Sequence, residues 1–216
     1  LCGGEAFPWA LAEQLIQRSA SLWNMYGPTE TTIWSALGRI EAGAGRVLLT
    51  RPLANTRISL LDPATLKPVP LGIVGEVFIG GDGLARDYMN RPELTAHSFI
   101  KDPFSARPEE RLYRTGDVAR RFKDGRIEIL GRVGHQVKIR GFRIELGEIE
   151  AVLAELPDLR ESVVTAVQDE SGDKRLVAYV VPAREPAPTT TELRAHLKNR
   201  LPDYMVPSVF VFVKAL

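Results

Sequence analysis

The chain has 216 residues, 44% apolar and 25% charged, with a net charge of +1. That balance suits a globular protein of one large or two small domains. It gives no global field to attract nucleic acid or an anionic membrane, and no apolar run approaches the ~20 residues of a membrane span. The opening Leu1-Cys2-Gly3-Gly4-Glu5 lacks the basic and apolar stretches of a signal peptide. A lone cysteine, Cys2, allows no internal disulfide and agrees with a cytoplasmic location. With no histidine nearby in sequence, Cys2 reads as a small buried residue rather than a nucleophile.

In chain order, 8–18 reads as a helix with Pro8 in its first turn and Leu11 and Leu15 on one face. A short strand, 21–26, runs into Asn24-Met25-Tyr26-Gly27-Pro28-Thr29-Glu30, and 31–36 continues as a buried segment. The β pattern resumes at 57–61 and 75–79, with turn chemistry between, and 80–83 is a glycine-rich loop. That loop is no phosphate loop, since no Lys-Ser/Thr follows it. A short helix opens at 90–95, 104–110 is a loop, and 111–131 holds two strands around Lys123-Asp124-Gly125-Arg126. Another strand runs 136–140, an amphipathic helix 145–156, and paired strands 163–167 and 176–181 are joined by 169–174. A Pro/Ala-rich linker precedes Thr189 and Glu192, which make a capping box for a helix ending near Leu201. After a loop at 202–207, 209–213 is a final strand.

The segment 24–30 joins a flat ring, a tight turn, a hydroxyl and a carboxylate. Tyr26 can lie against a purine, and Gly27-Pro28 lets the backbone approach a ligand. Thr29 can hydrogen-bond a phosphate oxygen, and Glu30 is a hard oxygen ligand for Mg²⁺. Read alone, the same residues describe first a turn before a helix, with Thr29 as N-cap.

Four further segments narrow the choice. They are Gly75-Glu76-Val77-Phe78-Ile79-Gly80-Gly81 with Leu84-Ala85-Arg86-Asp87-Tyr88, then Tyr113-Arg114-Thr115-Gly116-Asp117, then the run from Gly131 to Glu150, and Leu201-Pro202-Asp203-Tyr204-Met205-Val206-Pro207. In this order they resemble the adenylation domain of nonribosomal peptide synthetases, in the adenylate-forming superfamily. The resemblance covers essentially the whole chain, and the run from Gly131 is far more specific than a short motif.

The resemblance implies a fold of mixed α/β and α+β class, the C-terminal part of the adenylate-forming fold. Residues 1–132 would be the end of the large core with a β-barrel-like subdomain, and 133–216 a small α+β lid. It implies that an amino acid's carboxylate attacks the α-phosphate of ATP, with Mg²⁺, and that a carrier domain's phosphopantetheine thiol then takes the aminoacyl group. Tyr26 matches the adenine-stacking position, Asn24 one beside the adenine edge, and Gly27 the close turn between. Thr29 matches a phosphate or carboxylate contact, Glu30 the magnesium ligand, Asp117 the acceptor of both ribose hydroxyls, and Arg132 a ribose or phosphate contact. Read alone, Asp117 would be an Asx-type turn and Arg132 a solvated charge. Lys138 and Gly141 match positions used in the thioester step, Gly141 leaving room for the pantetheine arm. Arg140 and Arg143 read as surface ion-pairing groups, and Glu145, Glu148 and Glu150 as charges matched to a helix start.

Two positions depart from the family pattern. The hinge position usually carries Asp or Lys and here is Gly134, while Ile129 stands where a nucleotide-flanking aromatic is often found. The family's phosphate loop and amine-binding Asp would lie before Leu1, and its catalytic lysine after Leu216, so the chain reads as a fragment expected to be inactive alone, with exposed apolar surface on its first part. Leu1, Gly3, Met25, Ile33 and Trp34 match substrate-pocket positions, and bulky Met25 and Trp34 suggest glycine or another small amino acid. Carrier and condensation domains of a parent chain are the implied partners. An acyl- or aryl-CoA ligase, or a noncatalytic nucleotide-binding remnant, is the alternative.

Overall fold

A computed structural model describes residues 1–134, 136–168 and 173–216. They fall into two compact units, Leu1–Val133 and Gly134–Leu216. His135 and the start of the 169–174 connection lie outside the described residues.

In the first unit, helix α1 (Trp9–Ile16) packs on a sheet of β1 (Cys2–Gly3), β2 (Leu22–Tyr26), β3 (Ala36–Ile40) and β4 (Arg51–Pro52). β1 runs parallel to β2, and the other pairs are antiparallel. Ala12, Leu15 and Ile16 meet Leu22 and Ile40. Leu11, expected on the buried face, is 46% exposed, because the inward stripe follows the spacing of 12, 15 and 16.

A second sheet has the order β5 (Thr56–Leu61), β6 (Val74–Gly81), β8 (Arg111–Arg121) and β7 (Phe99–Lys101). Helix α2 (Pro92–Ser98) leads into β7, and β9 (Ile127–Arg132) pairs with β8 across the turn at Lys123–Arg126. Alternation places Ile58, Leu60, Val77, Ile79, Ala119 and Ile127 on one face. They share a core with Ala36 and Leu49, so the two sheets bury one apolar layer between them. The expected loop at 80–83 starts later, since Gly80 and Gly81 pair with Arg57 and Thr56.

The second unit opens with a hairpin, β10 (Gln136–Ile139) and β11 (Phe142–Glu145). Strand β11 occupies residues that carry no strand pattern of their own. Its turn residues Arg140 and Gly141 both have positive φ, +53° and +80°. That is the primed geometry matching the twist of a tight hairpin. Helix α3 (Leu146–Leu153) follows, shorter than the expected 145–156 and extended by single turns to Leu156. Strands β12 (Leu159–Gln168), β13 (Lys174–Pro182) and β14 (Val209–Phe212) form a sheet, with β14 parallel to β13. Helix α4 (Thr190–Lys198) and α3 cover it, burying Ile149, Leu153, Leu193 and Leu197 completely. No helix among the described residues is long and apolar enough to cross a membrane.

Candidate functional site

Strand β2 ends at Tyr26, and the next residues turn sharply. A Cβ on Gly27 would lie 2.5 Å from the Ile33 carbonyl oxygen and 2.7 Å from the Ser35 nitrogen, so only glycine fits there. Residues 29–31 form a single 3₁₀ turn, with Pro28 at its N-cap and no side-chain cap. Thr29 is therefore not the cap; its side chain is exposed and open to a ligand. Thr32 and Ile33 then take left-handed conformations, φ +63° and +69°, and reverse the chain. This corrects the expected continuous buried segment at 31–36. Thr31, Ser35 and Ala36 are buried, but Ile33 is 64% and Trp34 46% exposed.

Glu30 is buried, and its Oε1 accepts the Tyr88 hydroxyl at 2.5 Å. Tyr88 sits beside Phe99 and lies 3.4 Å from the Tyr113 hydroxyl. The strip from Gly81 to Tyr88 is fastened to the turn, since Ala85 N donates to the Glu30 carbonyl and Thr32 Oγ1 to that of Gly83, both at 2.8 Å. Among the described residues no three His, Cys, Asp or Glu side chains converge as a metal site. One carboxylate on a tight turn suits Mg²⁺, which takes most of its ligands from phosphate and water.

Asp117 stands in β8 and is only 8% exposed, so the Asx-type turn is excluded. Its Oδ2 accepts the Tyr26 hydroxyl at 2.5 Å, and Arg132 Nη1 lies 3.3 Å from Oδ1. Arg132 Nη2 also donates to the Thr115 carbonyl at 2.7 Å, so Arg132 is a half-buried, ordered group and not a solvated charge. Burial, then the adjacent negative charge of Asp117, pushes the Tyr26 hydroxyl well above its ordinary pKa of 10.0. Tyr26 therefore stays a donor at neutral pH. A carboxylate offers about four acceptor positions, so Asp117 keeps capacity for further hydroxyls.

Of the expected pocket positions, Gly3 and Met25 are set by strand pairing. Gly3 lies opposite Met25 in the β1–β2 ladder, and a Cβ there would meet the Met25 carbonyl oxygen at 2.5 Å. Asn24 pairs with Cys2 and Gly38, Met25 is buried, and Leu1 is 78% exposed. Lys138 lies in β10 opposite Arg143, next to the turn that needs Gly141. Arg143 pairs with Glu145 at 3.9 Å, and Glu150 accepts from Val164 N at 2.8 Å. Gly134, exposed with φ +94°, begins the second unit.

The structure brings Tyr26, Asp117 and Arg132 together and adds groups that single-residue reading missed. These are Tyr88 against Glu30, and Glu76 with Arg114 behind Asp117. All three fall inside quoted motifs, and that position was their only signal.

The AMP-binding enzyme family matches residues 1–89, and its C-terminal domain matches 148–216. A dimodular nonribosomal peptide synthase of Bacillus subtilis (strain 168) is 52% identical over 212 residues, covering 98% of this chain but 9% of its own length. The chain thus spans about a tenth of that relative. The crystal structure of IdnL1 superposes with a TM-score of 0.87 at 28% identity, over 99% of this chain and 44% of the other. The holo form of AB3403, a four-domain nonribosomal peptide synthetase bound to AMP and glycine, is 47% identical with a TM-score of 0.58, over 99% of this chain and 16% of that one. The two family matches fall one in each compact unit, and together with these likenesses they show that the chain belongs to the AMP-binding enzyme family, with the mixed α/β fold of adenylate-forming enzymes.

Proposed function

We propose that this chain supplies the adenosine-binding and metal-binding part of a site that activates an amino acid with ATP. The observation carrying this reading is the buried Asp117 carboxylate, held between Tyr26 and Arg132 with acceptor capacity to spare. Asp117 takes the ribose hydroxyls, Tyr26 lays its ring on adenine, and Asn24 and Gly27 border the base. Thr29 binds an oxygen of the α-phosphate or of the substrate carboxylate. Glu30 holds Mg²⁺, which when bound offsets the charge of joining two anions. The products are an aminoacyl-adenylate and pyrophosphate.

Residues 1–132 act as core and 133–216 as lid, with Gly134 the hinge. Lys138 and Gly141 serve the second half-reaction, in which a carrier-domain phosphopantetheine thiol displaces AMP to give the thioester. Carrier and condensation domains are the partners and the cytoplasm the location. The amino acid is glycine or another small residue, a reading supported by the bulky residues Met25 and Trp34 at positions that with Leu1, Gly3 and Ile33 match the family's pocket, and by the glycine held in AB3403.

The test is amino-acid-dependent ATP–pyrophosphate exchange by the full-length polypeptide, run across the amino acids. Exchange with glycine or alanine, lost in Asp117→Ala, is expected. Coenzyme A ester formation from simple acids, without amino-acid exchange, would move the assignment to an acyl-CoA ligase. Nucleotide binding with neither reaction would mark a noncatalytic remnant.

A further inference from the structure

Strand β8 carries an irregularity where it reaches Asp117. Glu76 faces Val118 and Phe78 faces Arg114, so Thr115, Gly116 and Asp117 together oppose the single Val77. Surplus residues in a strand lose ladder partners, and buried N–H groups left unpaired are costly. Side chains take over here. Thr115 Oγ1 donates to the Val77 carbonyl at 2.8 Å and accepts Asp117 N at 2.9 Å. The Gly116 amide, on a backbone with φ +75°, donates to Glu76 Oε1 at 3.2 Å.

Glu76 is 2% exposed. Arg114 grips it as a fork, with Nε at 2.9 Å from Oε1 and Nη2 at 2.9 Å from Oε2. A buried ion pair is weak evidence for stability, since apolar residues of equal volume often serve as well. This pair does something apolar residues could not: it ties down the amide immediately before Asp117. On the other side of the bulge, the Thr115 and Gly116 carbonyls accept from Arg132 and from Val133 N, both at 2.7 Å.

We infer that Glu76, held by Arg114, is a positioning residue for ribose recognition: by fixing the Gly116 amide it sets where the Asp117 carboxylate stands. The inference rests on reading Asp117 as the ribose acceptor. Without the clamp, the bulge relaxes and Asp117 keeps its charge but loses its aim.

The experiment measures ATP and 2′,3′-dideoxy-ATP binding to the full-length polypeptide by calorimetry, for wild type, Asp117→Ala, Glu76→Gln and Arg114→Lys. Wild type should prefer ATP, and Asp117→Ala should erase the preference. If Asp117→Ala leaves it intact, the ribose reading itself fails. Given that reading, Glu76→Gln should cut the preference about tenfold, the worth of one hydrogen bond to a charged group, while dideoxy-ATP affinity holds. Arg114→Lys, which keeps the charge but not the fork, should give a smaller cut in the same direction. A merely structural role would lower both affinities together and leave their ratio unchanged, overturning the proposal. Should Glu76→Gln fail to fold, the ratio in Arg114→Lys decides alone.

Discussion

The Tyr26 hydroxyl and the Asp117 carboxylate lie 91 residues apart in sequence and meet at 2.5 Å. One residue ends a strand of the first sheet and the other sits in the bulge of the second. The contact therefore fixes the ring that would face adenine relative to the carboxylate that would face ribose.

Tyr26 has two separable parts. If the ring stacks on adenine, Tyr26→Ala should weaken AMP binding by about 1–3 kcal/mol, whereas Tyr26→Phe, which keeps the face, should bind within about threefold of wild type. Calorimetric titration of the full-length polypeptide checks both variants. Equal losses would assign the effect to the hydroxyl and count against stacking.

The same hydroxyl makes stability depend on alkaline pH. Its folded pKa is raised above 10.0, first by burial and then by Asp117, so the folded state holds its proton longer than the unfolded state. The contribution is whole below about pH 10 and falls as pH rises above it, by up to ~1.4 kcal/mol per pH unit until the folded group ionises. Urea unfolding of wild type should steepen its decline above pH 10, and Tyr26→Phe should decline less. Parallel slopes would show that Tyr26 does not set this dependence.

How much of this could be read from the chain varies with how local the cause is. Strand β8 shows alternating burial along most of its length, while β6, buried on both faces, shows as a short apolar run bounded by turn residues. The chain reversal after Glu30 could not be read. Thr32 and Ile33 are β-branched and rarely adopt positive φ, so the reversal depends on non-local contacts, the close approach of 33–35 to Gly27 and the Thr32 bond to the Gly83 carbonyl. Strand β11 was hidden because Phe142–Glu145 earns its pairing from β10, not from its own pattern. Within the site, the matched motif named Asp117, but the Glu76 clamp depends on a register shift between strands that no single segment encodes.

The capping box of α4 is a local cause fully visible in sequence. Glu192 N donates to Thr189 Oγ1 at 3.3 Å, and Thr189 N donates to Glu192 Oε2 at 2.7 Å. Thr189→Ala should destabilise the second unit by about 1 kcal/mol, read as a lower melting temperature. The Thr189 amide and hydroxyl hold the Glu192 carboxyl below its usual pKa of 4.5. Its contribution is thus present above pH 4.5 and lost as pH falls through the lower folded value. In Thr189→Ala the acid-induced loss of stability should shrink. An unchanged acid profile would mean the box adds nothing in solution.

Gly134 offers the sharpest test of the two-step reading. Its φ of +94° is closed to proline, whose ring fixes φ near about −65°. Val133, just before it, is anchored by its amide to the Gly116 carbonyl at 2.7 Å. If adenylation and thioester formation need different backbone settings there, Gly134→Pro must exclude at least the one described here. One half-reaction should fall by about 100-fold or more while the other stays within about tenfold. ATP–pyrophosphate exchange reads the first, and transfer from preformed aminoacyl-adenylate to a carrier thiol reads the second. Gly134→Ala, strained by about 1–2 kcal/mol but still able to rotate, should retain both. Equal loss, or equal survival, of the two activities in Gly134→Pro would remove Gly134 from the hinge.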